Sequence, residues 1–298
     1  MTFSIDRRHV LMSALTGVAL QALPGRAAAP PEGRKKLAVV LGGGSARGFA
    51  HIGVVKALEA GGIRPDLIVG CSAGSLVGAF WAAGYTGTRM EELAMKVQDS
   101  EVIDLVTGKP QYGLVAGRSL QNFVNQGLGN KPLEKLKTPF AAVATRYPSG
   151  ELAVFSEGDA GFAVRASCSI PGVFIPASAQ GSEFLDGGLI SPIPVNTARK
   201  LGADVVIAVD VGGPDPSNGD SRGLYNVIMR SFEIMSQSLR QHEAADADII
   251  IRPDVTRVQS TDFSARRLLI VLGEHAGKRL IPVIREKLRV SQGKAIRH

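Results

Sequence analysis

The chain has 298 residues, of which 45% are hydrophobic, and this is enough to bury one large core or two small ones. No internal repeat is visible, which excludes a solenoid, and a 5% aromatic content without a clustered basic face argues against nucleic-acid binding. The formal net charge is +7, so the chain is basic.

The first 29 residues are predicted to be an export signal. Arg7 and Arg8 precede an apolar stretch from Val10 to Leu23, and Arg26–Ala29 then offers small residues for cleavage. The arginine pair resembles a twin-arginine signal, so we expect a protein exported to the periplasm of a bacterium. Removing the segment takes away three arginines and one aspartate and lowers the formal net charge from +7 to +5. This modestly basic charge favours an anionic lipid surface as a peripheral partner. A disordered or amphipathic N-terminal extension is the alternative.

Residues 30–36 form a predicted linker, and residues 37–298 a predicted single domain in which strands and helices alternate. Short apolar runs that end in glycine are typical of buried parallel strands. The alternation predicts an α/β fold around a mostly parallel sheet. The predicted strands are Leu37–Leu41, Leu67–Val69, Phe140–Thr145, Leu152–Phe155, a strand that ends at Asp186, Val205–Val211 and Asp248–Asp254.

Helical patterns fill most of the remaining sequence. The predicted helices are Arg47–Ile63, Ser75–Gly84, a helix that begins at Val195, a long helix that ends at Ala247, and a C-terminal helical tail. Residues 89–136 carry mostly helical signals, and we expect them to form a cap or rim over a site.

Residues 70–74 read GCSAG and fit the pattern G-x-S-x-G between a predicted strand and a predicted helix. In that context Ser72 occupies a strained turn, and Gly70 and Gly74 let neighbouring backbones approach. Ser72 then lies above a helix N-terminus, where the helix dipole favours developing negative charge. Cys71 is one step off the centre of the turn, so it and Cys168 are expected to be buried thiols. A purely structural turn is the alternative.

A second glycine-rich turn, Gly42–Gly48, follows the first predicted strand. Its amides could bind dinucleotide phosphates, but Arg47 occupies the position of the third glycine in that pattern, and no P-loop ending is present. The amides of Gly43 and Gly44 could instead form an oxyanion hole for acyl transfer. Arg47 would then hold the loop or meet a phosphate headgroup. A structural strand–helix turn is the alternative here too.

No histidine lies close to Ser72 in the sequence. His242 and His275 follow in the order that a Ser–His–Asp hydrolase needs, but both lie in polar helical stretches, and His298 is the last residue. His51 lies in an otherwise apolar helix and is interpreted as a packed or capping histidine.

Asp186 is better placed to accept the proton of the nucleophile. It ends an apolar strand, and Gly187 and Gly188 after it leave room for close approach. Burial can raise the pKa of such a carboxyl toward that of a useful general base. A turn-capping aspartate is the alternative.

Four segments in one order carry a resemblance to a known family. They are Gly42–Gly53 (GGGSARGFAHIG), Gly70–Gly74 (GCSAG), Ala166–Phe174 (ASCSIPGVF) and Asp186–Gly188 (DGG). Together they resemble patatin-like phospholipases, in particular the bacterial branch similar to the catalytic domain of neuropathy target esterase. The resemblance runs from about residue 37 to residue 211.

This resemblance implies a three-layer α/β/α sandwich and hydrolysis of acyl esters by a Ser–Asp dyad, without histidine, metal or cofactor. By motif, Ser72 would be the nucleophile and Asp186 the general base. The resemblance also implies an oxyanion hole formed by Gly42, Gly43 and Gly44. The residues that support these motifs are Arg47, Gly70, Gly74, Gly187 and Gly188.

The predicted function is therefore lipid acyl hydrolysis, of the phospholipase, lysophospholipase or esterase type, with an acyl-serine intermediate. One alternative is an acyltransferase, in which an alcohol takes the acyl group from Ser72. Another is a lipid-binding regulatory protein with little catalysis. A dinucleotide-dependent oxidoreductase fits least, because its glycine spacing is absent.

Overall fold

The computed structural model describes residues 35–106, 112–213 and 223–295. The predicted export signal and nearly all of the predicted linker lie outside these ranges. The strands are β1 (Leu37–Leu41), β2 (Leu67–Cys71), β3 (Gly113–Val115), β4 (Phe140–Tyr147), β5 (Leu152–Phe155), β6 (Gly172–Phe174), β7 (Ala177–Ala179), β8 (Ser182–Asp186), β9 (Val205–Val209) and β10 (Ile249–Ile251).

Helices occupy most of the sequence between these strands. They are α1 (Phe49–Ala60), α2 (Ala73–Ala83), α3 (Gly87–Lys96), α4 (Asp99–Val102), α5 (Arg118–Gly127), α6 (Ala160–Ser167), α7 (Val195–Lys200), α8 (Leu224–Ala244) and α9 (Arg266–Ala295). No helix within the described ranges is both long enough and apolar enough to cross a bilayer.

The central sheet has the strand order β10-β9-β1-β2-β4-β8-β7, with β5 also paired to β4. The strands from β10 to β4 run parallel to their neighbours, whereas β5 and β8 run antiparallel to β4, and β7 antiparallel to β8. A separate two-stranded sheet pairs β3 with β6. The prediction of a mostly parallel sheet is confirmed.

Alternate side chains of the central strands enter two separate cores. Val39 and Ile68 pack on one face with α1, α2, α6 and α9, whereas Val40 and Val69 pack on the other with α7 and the end of α8. This alternation is the two-residue period of a strand. The arrangement confirms the three-layer α/β/α sandwich.

Helices α1 and α9 pack unusually closely. A Cβ atom at Gly53 would collide with the carbonyl of Ile270, and one at Gly273 would collide with the carbonyl of Ala50. The two glycines thus allow backbone to touch backbone. The contact holds the first turn of α1, which lies directly after the glycine-rich turn at residues 42–48.

The segment 89–136 differs from its prediction. Met90 and Ala94 of α3, and Leu120 and Val124 of α5, are buried in the same core as α1 and α2. These apolar faces make α3 and α5 part of the helical layer. The expectation of a cap is therefore wrong for these two helices.

Candidate active site

Ser72 and Asp186 are 114 positions apart in the chain, and strand β4 brings them together. β2 pairs with the first half of β4, so that Cys71 lies opposite Val143. β8 runs the other way along the second half, so that Asp186 lies opposite Ala144. β5 pairs with residues from both halves of β4 and so occupies one edge of that strand. β2 and β8 must therefore both pair along the other edge. The two strands therefore meet end to end.

Ser72 lies in the turn between β2 and α2, with a φ of 51° and a ψ of −126°. This positive φ is unfavourable for a residue other than glycine and persists only where the surroundings impose it. Backbone crowds the turn: a Cβ at Gly70 would lie 2.5 Å from the Cα of Ser75, and one at Gly74 would collide with the carbonyl of Leu41. The strained turn predicted from GCSAG is confirmed.

The backbone amide of Ser72 is held by a residue that sequence reasoning missed. It donates to Ser167 Oγ at 2.8 Å, and the Ser167 hydroxyl donates in turn to the carbonyl of Val143 at 2.6 Å. Ser167 is fully buried at the C-terminal end of α6. Its hydroxyl therefore ties the strained turn to β4. The only sequence signal was its place in the segment ASCSIPGVF.

The side chain of Ser72 donates to Asp186 Oδ2 at 2.6 Å. The other carboxylate oxygen accepts the amide of Gly188 at 2.7 Å. The backbone of Asp186 is fixed as well, since its amide donates to the Ser169 carbonyl and its carbonyl accepts the Thr145 hydroxyl, each at 2.8 Å. The structure thus brings the two predicted catalytic side chains into direct contact and holds the carboxylate in one orientation.

Burial changes the acidity of this carboxyl group. Asp186 is only 2% exposed, and desolvation raises its pKa from 3.8 to about 6, although the hydrogen bonds from Ser72 and Gly188 oppose the rise. A carboxylate with this pKa is mostly ionised at neutral pH and is more basic than an exposed aspartate. It can accept a proton from a hydroxyl that touches it.

The two cysteines are free and buried, as predicted. Cys71 points into the core beneath α7, and burial raises the pKa of its thiol well above the ordinary value. Cys168 lies nearer the site, and burial raises the pKa of its thiol to about 12. Because the thiolate is the nucleophilic form of cysteine, neither residue competes with Ser72.

None of the described histidines is hydrogen-bonded to Ser72 or Asp186. His51 is buried and its Nε2–H donates to the carbonyl of Gly42 at 2.8 Å, while burial lowers its pKa to about 4. This confirms a packed, supporting histidine. His242 and His275 are exposed on α8 and α9, and His298 lies outside the described residues. Across the described part of the chain, no cluster of histidine, cysteine, aspartate or glutamate is arranged to hold a metal ion.

The glycine-rich turn lies beside the nucleophile, since a Cβ at Gly43 would be 3.5 Å from the Cβ of Ser72. However, the amide of Gly42 donates to the carbonyl of Val209 at 3.0 Å, and that of Gly43 to the carbonyl of Pro192 at 2.9 Å. The Gly44 amide has no such partner among the described residues. The expected oxyanion role thus needs correction for Gly42 and Gly43, whose amides are used within the fold.

Arg47 is a structural residue of this loop. It is 1% exposed, and its guanidinium donates to the carbonyls of Val258 at 2.8 Å and Gly213 at 2.6 Å. Of the two roles expected for Arg47, the geometry favours holding the loop. The side chain is not placed to meet a phosphate headgroup.

A family model described as patatin-like phospholipase matches residues 39–199, which is more than half of the chain. The matched range includes Ser72, Asp186 and the glycine-rich turn. It ends before β9, so the last two strands of the central sheet and helices α8 and α9 lie beyond it.

Several curated proteins are similar in sequence, and two of them illustrate the match. Patatin-like phospholipase domain-containing protein 6 of Mus musculus is 34% identical over 232 residues, covering 75% of this chain and 16% of that protein. Lysophospholipase NTE1 of Coccidioides immitis is 35% identical over 193 residues, covering 63% of this chain and 12% of that protein. This chain therefore spans only a small fraction of the length of either relative.

Among solved structures, VipD from Legionella pneumophila has a TM-score of 0.57 and 14% sequence identity, covering 84% of this chain and 67% of that one. At this identity the similarity concerns the fold alone. The sequence match is broader evidence, because it includes both the strained serine turn and the aspartate that the serine contacts. The chain belongs to the patatin-like phospholipase family.

Proposed function

We propose that the protein hydrolyses carboxylic ester bonds of lipids through an acyl-enzyme on Ser72, with Asp186 as the general base. The observation that carries this proposal is the 2.6 Å hydrogen bond from Ser72 Oγ to a buried carboxylate whose pKa is raised to about 6. The pair combines a hydroxyl nucleophile with a base of suitable strength in direct contact with it. The name lysophospholipase, borne by one relative, supports a lipid ester as the substrate.

The proposed reaction has two steps. Ser72 Oγ attacks the ester carbonyl carbon while its proton passes to Asp186 Oδ2, and the leaving alcohol takes that proton as the ester bond breaks. Water then gives a proton to Asp186 and attacks the acyl-serine. The proton returns to Ser72 Oγ as the fatty acid leaves, which restores the starting state.

Two amides are proposed to stabilise the oxyanion. The Gly44 amide is one, since it has no carbonyl partner among the described residues. The Ala73 amide is the other, because it opens α2 directly after the nucleophile, and the first amides of a helix lack intrahelical partners. The dipole of α2 acts in the same direction.

The test is hydrolysis of p-nitrophenyl butyrate and of a lysophospholipid by purified variants. Ser72→Ala and Asp186→Asn should each lower kcat/KM on the order of 10³-fold or more, because each removes a group that acts in the transition state. Cys71→Ala is the matched neighbouring control and should keep activity within a few fold. A fluorophosphonate should label the wild type but not Ser72→Ala. Near wild-type hydrolysis by Ser72→Ala would contradict the proposal.

Two further expectations accompany this function. Export to the periplasm rests on residues outside the described ranges and stays a prediction. Contact with an anionic membrane surface rests on the formal net charge of +5 that remains without the predicted export signal, and it also stays a prediction.

A further inference from the structure

An apolar cavity of about 280 Å³ has walls that adjoin the backbone around Asp186. One wall comes from the loop after α6 and from the turn after β8, and the opposite wall comes from α8. Six of the seven residues that form these walls are apolar: Ile170, Pro171, Leu189, Val227, Phe232 and Met235; the seventh is Ser231.

The wall formed by the loop after α6 and the turn after β8 adjoins the backbone that holds the general base. Leu189 directly follows Gly188, whose amide donates to Asp186 Oδ1. Ile170 directly follows Ser169, whose carbonyl accepts the amide of Asp186. Each of these wall residues is thus one position away from a residue that touches the base.

The opposite wall, formed by α8, is hydrogen-bonded to the backbone that follows Asp186. Ser236 Oγ of α8 donates to the carbonyl of Gly188 at 3.0 Å. Two turns further along, Glu243 accepts the Ser191 hydroxyl at 2.6 Å and the Ile193 amide at 2.9 Å. These bonds hold α8 across the end of β8, so that its preceding turns close the cavity.

The cavity opens toward solvent on the α8 side. Val227 is 53% exposed and Met235 is 56% exposed, although both side chains are apolar. Ligand sites in proteins usually have volumes of about 300–1,000 Å³, so this cavity is just below the lower limit of that range. It suits a single hydrocarbon chain better than a pair of chains.

We propose that this cavity holds the acyl chain of the ester under cleavage, and that side chains of α8, a helix beyond the family-matched residues 39–199, set the preferred chain length. The inference rests on the proposed ester hydrolysis, because the occupant is its acyl group.

The test compares Met235→Trp with Ile234→Trp. The two positions are adjacent on α8 and equally exposed, at 56% and 58%, but only Met235 lines the cavity. Met235→Trp should lower kcat/KM for p-nitrophenyl decanoate and palmitate by about tenfold or more, the scale of a small change in an apolar specificity pocket. Its activity on the acetate and butyrate esters should stay within about twofold of wild type, as should that of Ile234→Trp on every ester.

Val227→Trp fills the cavity from a second position and should shift the same profile. An unchanged chain-length profile in both cavity variants would overturn the proposal. So would a wild-type dimer that both Met235→Trp and Ile234→Trp dissociate without a change in profile, because the α8 face would then be a contact between two copies of the chain. Analytical ultracentrifugation measures this.

A binding experiment separates this inference from the proposed function. A fluorescent long-chain fatty acid should bind Ser72→Ala, and Met235→Trp added to that variant should weaken the binding by about tenfold or more. If wild type hydrolyses no ester but this binding pattern is found, the acyl site stands and the hydrolase proposal fails. If hydrolysis depends on Ser72 but the cavity variants bind like the control, only the acyl site fails.

Discussion

Residues 39–199, matched by the family model, and the C-terminal residues 205–295 contribute differently to the same site. The first region contains the reacting groups Ser72 and Asp186, together with the Ser167 hydroxyl that supports the serine turn. The second contains no proposed reacting group, yet its strand β9 lies inside the central sheet beside β1. Chemistry and support are therefore carried by different parts of the chain.

The supporting region reaches the site through backbone carbonyls. The carbonyl of Val209 accepts the amide of Gly42, and the carbonyls of Gly213 and Val258 accept the guanidinium of Arg47. Because every residue has a backbone carbonyl, contacts of this kind require no particular side chain and cannot be recognised in the sequence. A region without a recognisable motif can thus still determine the geometry of a catalytic loop.

The largest effect is expected for a change within the family-matched region. Ser167→Ala removes the link between the Ser72 amide and the Val143 carbonyl, so the strained turn loses a fixed contact. We expect kcat to fall by about a hundredfold, because small displacements of a nucleophile are costly, while KM changes little. Steady-state kinetics and the rate of fluorophosphonate labelling measure this.

Ser169→Ala is the matched control for Ser167→Ala. Ser169 is equally buried, but its hydroxyl donates to the Arg165 carbonyl and does not touch Ser72. Ser167→Thr should restore most of the activity, because it keeps the hydroxyl. Equal kinetic losses in the two alanine variants would show that Ser167 only contributes to packing.

An intermediate effect is expected where the two regions meet. Arg47→Lys keeps the charge but not the forked guanidinium, so at least one of the two carbonyl partners loses its donor. We expect the free energy of unfolding to fall by about 2 kcal/mol, or roughly thirtyfold in the unfolding constant. Urea unfolding followed by circular dichroism measures it.

Arg230→Lys is the control for this substitution. Arg230 pairs with Glu233 on α8 and is 44% exposed, and exposed pairs of this kind contribute about 0.5 kcal/mol or less. If both variants lose the same small amount, the C-terminal carbonyls do not fasten the glycine-rich turn.

The smallest effect concerns the pH dependence of the dyad. Asp186 must be ionised to accept the Ser72 proton, and burial raises its pKa to about 6. We therefore expect kcat/KM to fall about tenfold per pH unit below that value, measured with a neutral ester. An inflection near the ordinary value of 3.8 would show that burial does not tune this carboxyl group.

The same raised pKa lowers stability as the pH rises, whereas it raises activity. Between pH 3.8 and about 6 the folded state keeps a proton on Asp186 that the unfolded chain has lost. Stability from this proton is present below that window and is lost as the pH rises through it, by up to about 3 kcal/mol. Asp186→Asn does not titrate, so its stability relative to wild type should increase across the window.

Much of the fold follows from local sequence patterns. β1 and β5 have their predicted bounds, because apolar runs flanked by glycine or polar turns are unambiguous. The strands β3, β6 and β7 were not predicted, since three residues are too few to show a period. β2 continues to Cys71, two residues past its predicted end, because Gly70 pairs within the sheet and does not end the strand.

The candidate site also contains residues that local sequence patterns predict and residues that they do not. Ser72 could be predicted because a strained turn needs glycines at fixed local spacing, and Asp186 because its strand ends in glycines. Ser167 could not, since it meets Ser72 across 95 positions through a single hydroxyl. The amides of Gly42 and Gly43 are bonded to carbonyls far along the chain, which local spacing cannot reveal.

The end-to-end arrangement of β2 and β8 also affects which insertions and deletions the site tolerates during evolution. The distance between the reacting groups is set by two neighbouring residues of β4, Val143 and Ala144, and not by the length of chain between Ser72 and Asp186. Insertions, deletions or new surface loops in the connections between α2 and β4 can therefore accumulate without altering that distance, as long as the buried faces of α3 and α5 are kept. The length of these connections can vary while the geometry of Ser72 and Asp186 stays the same.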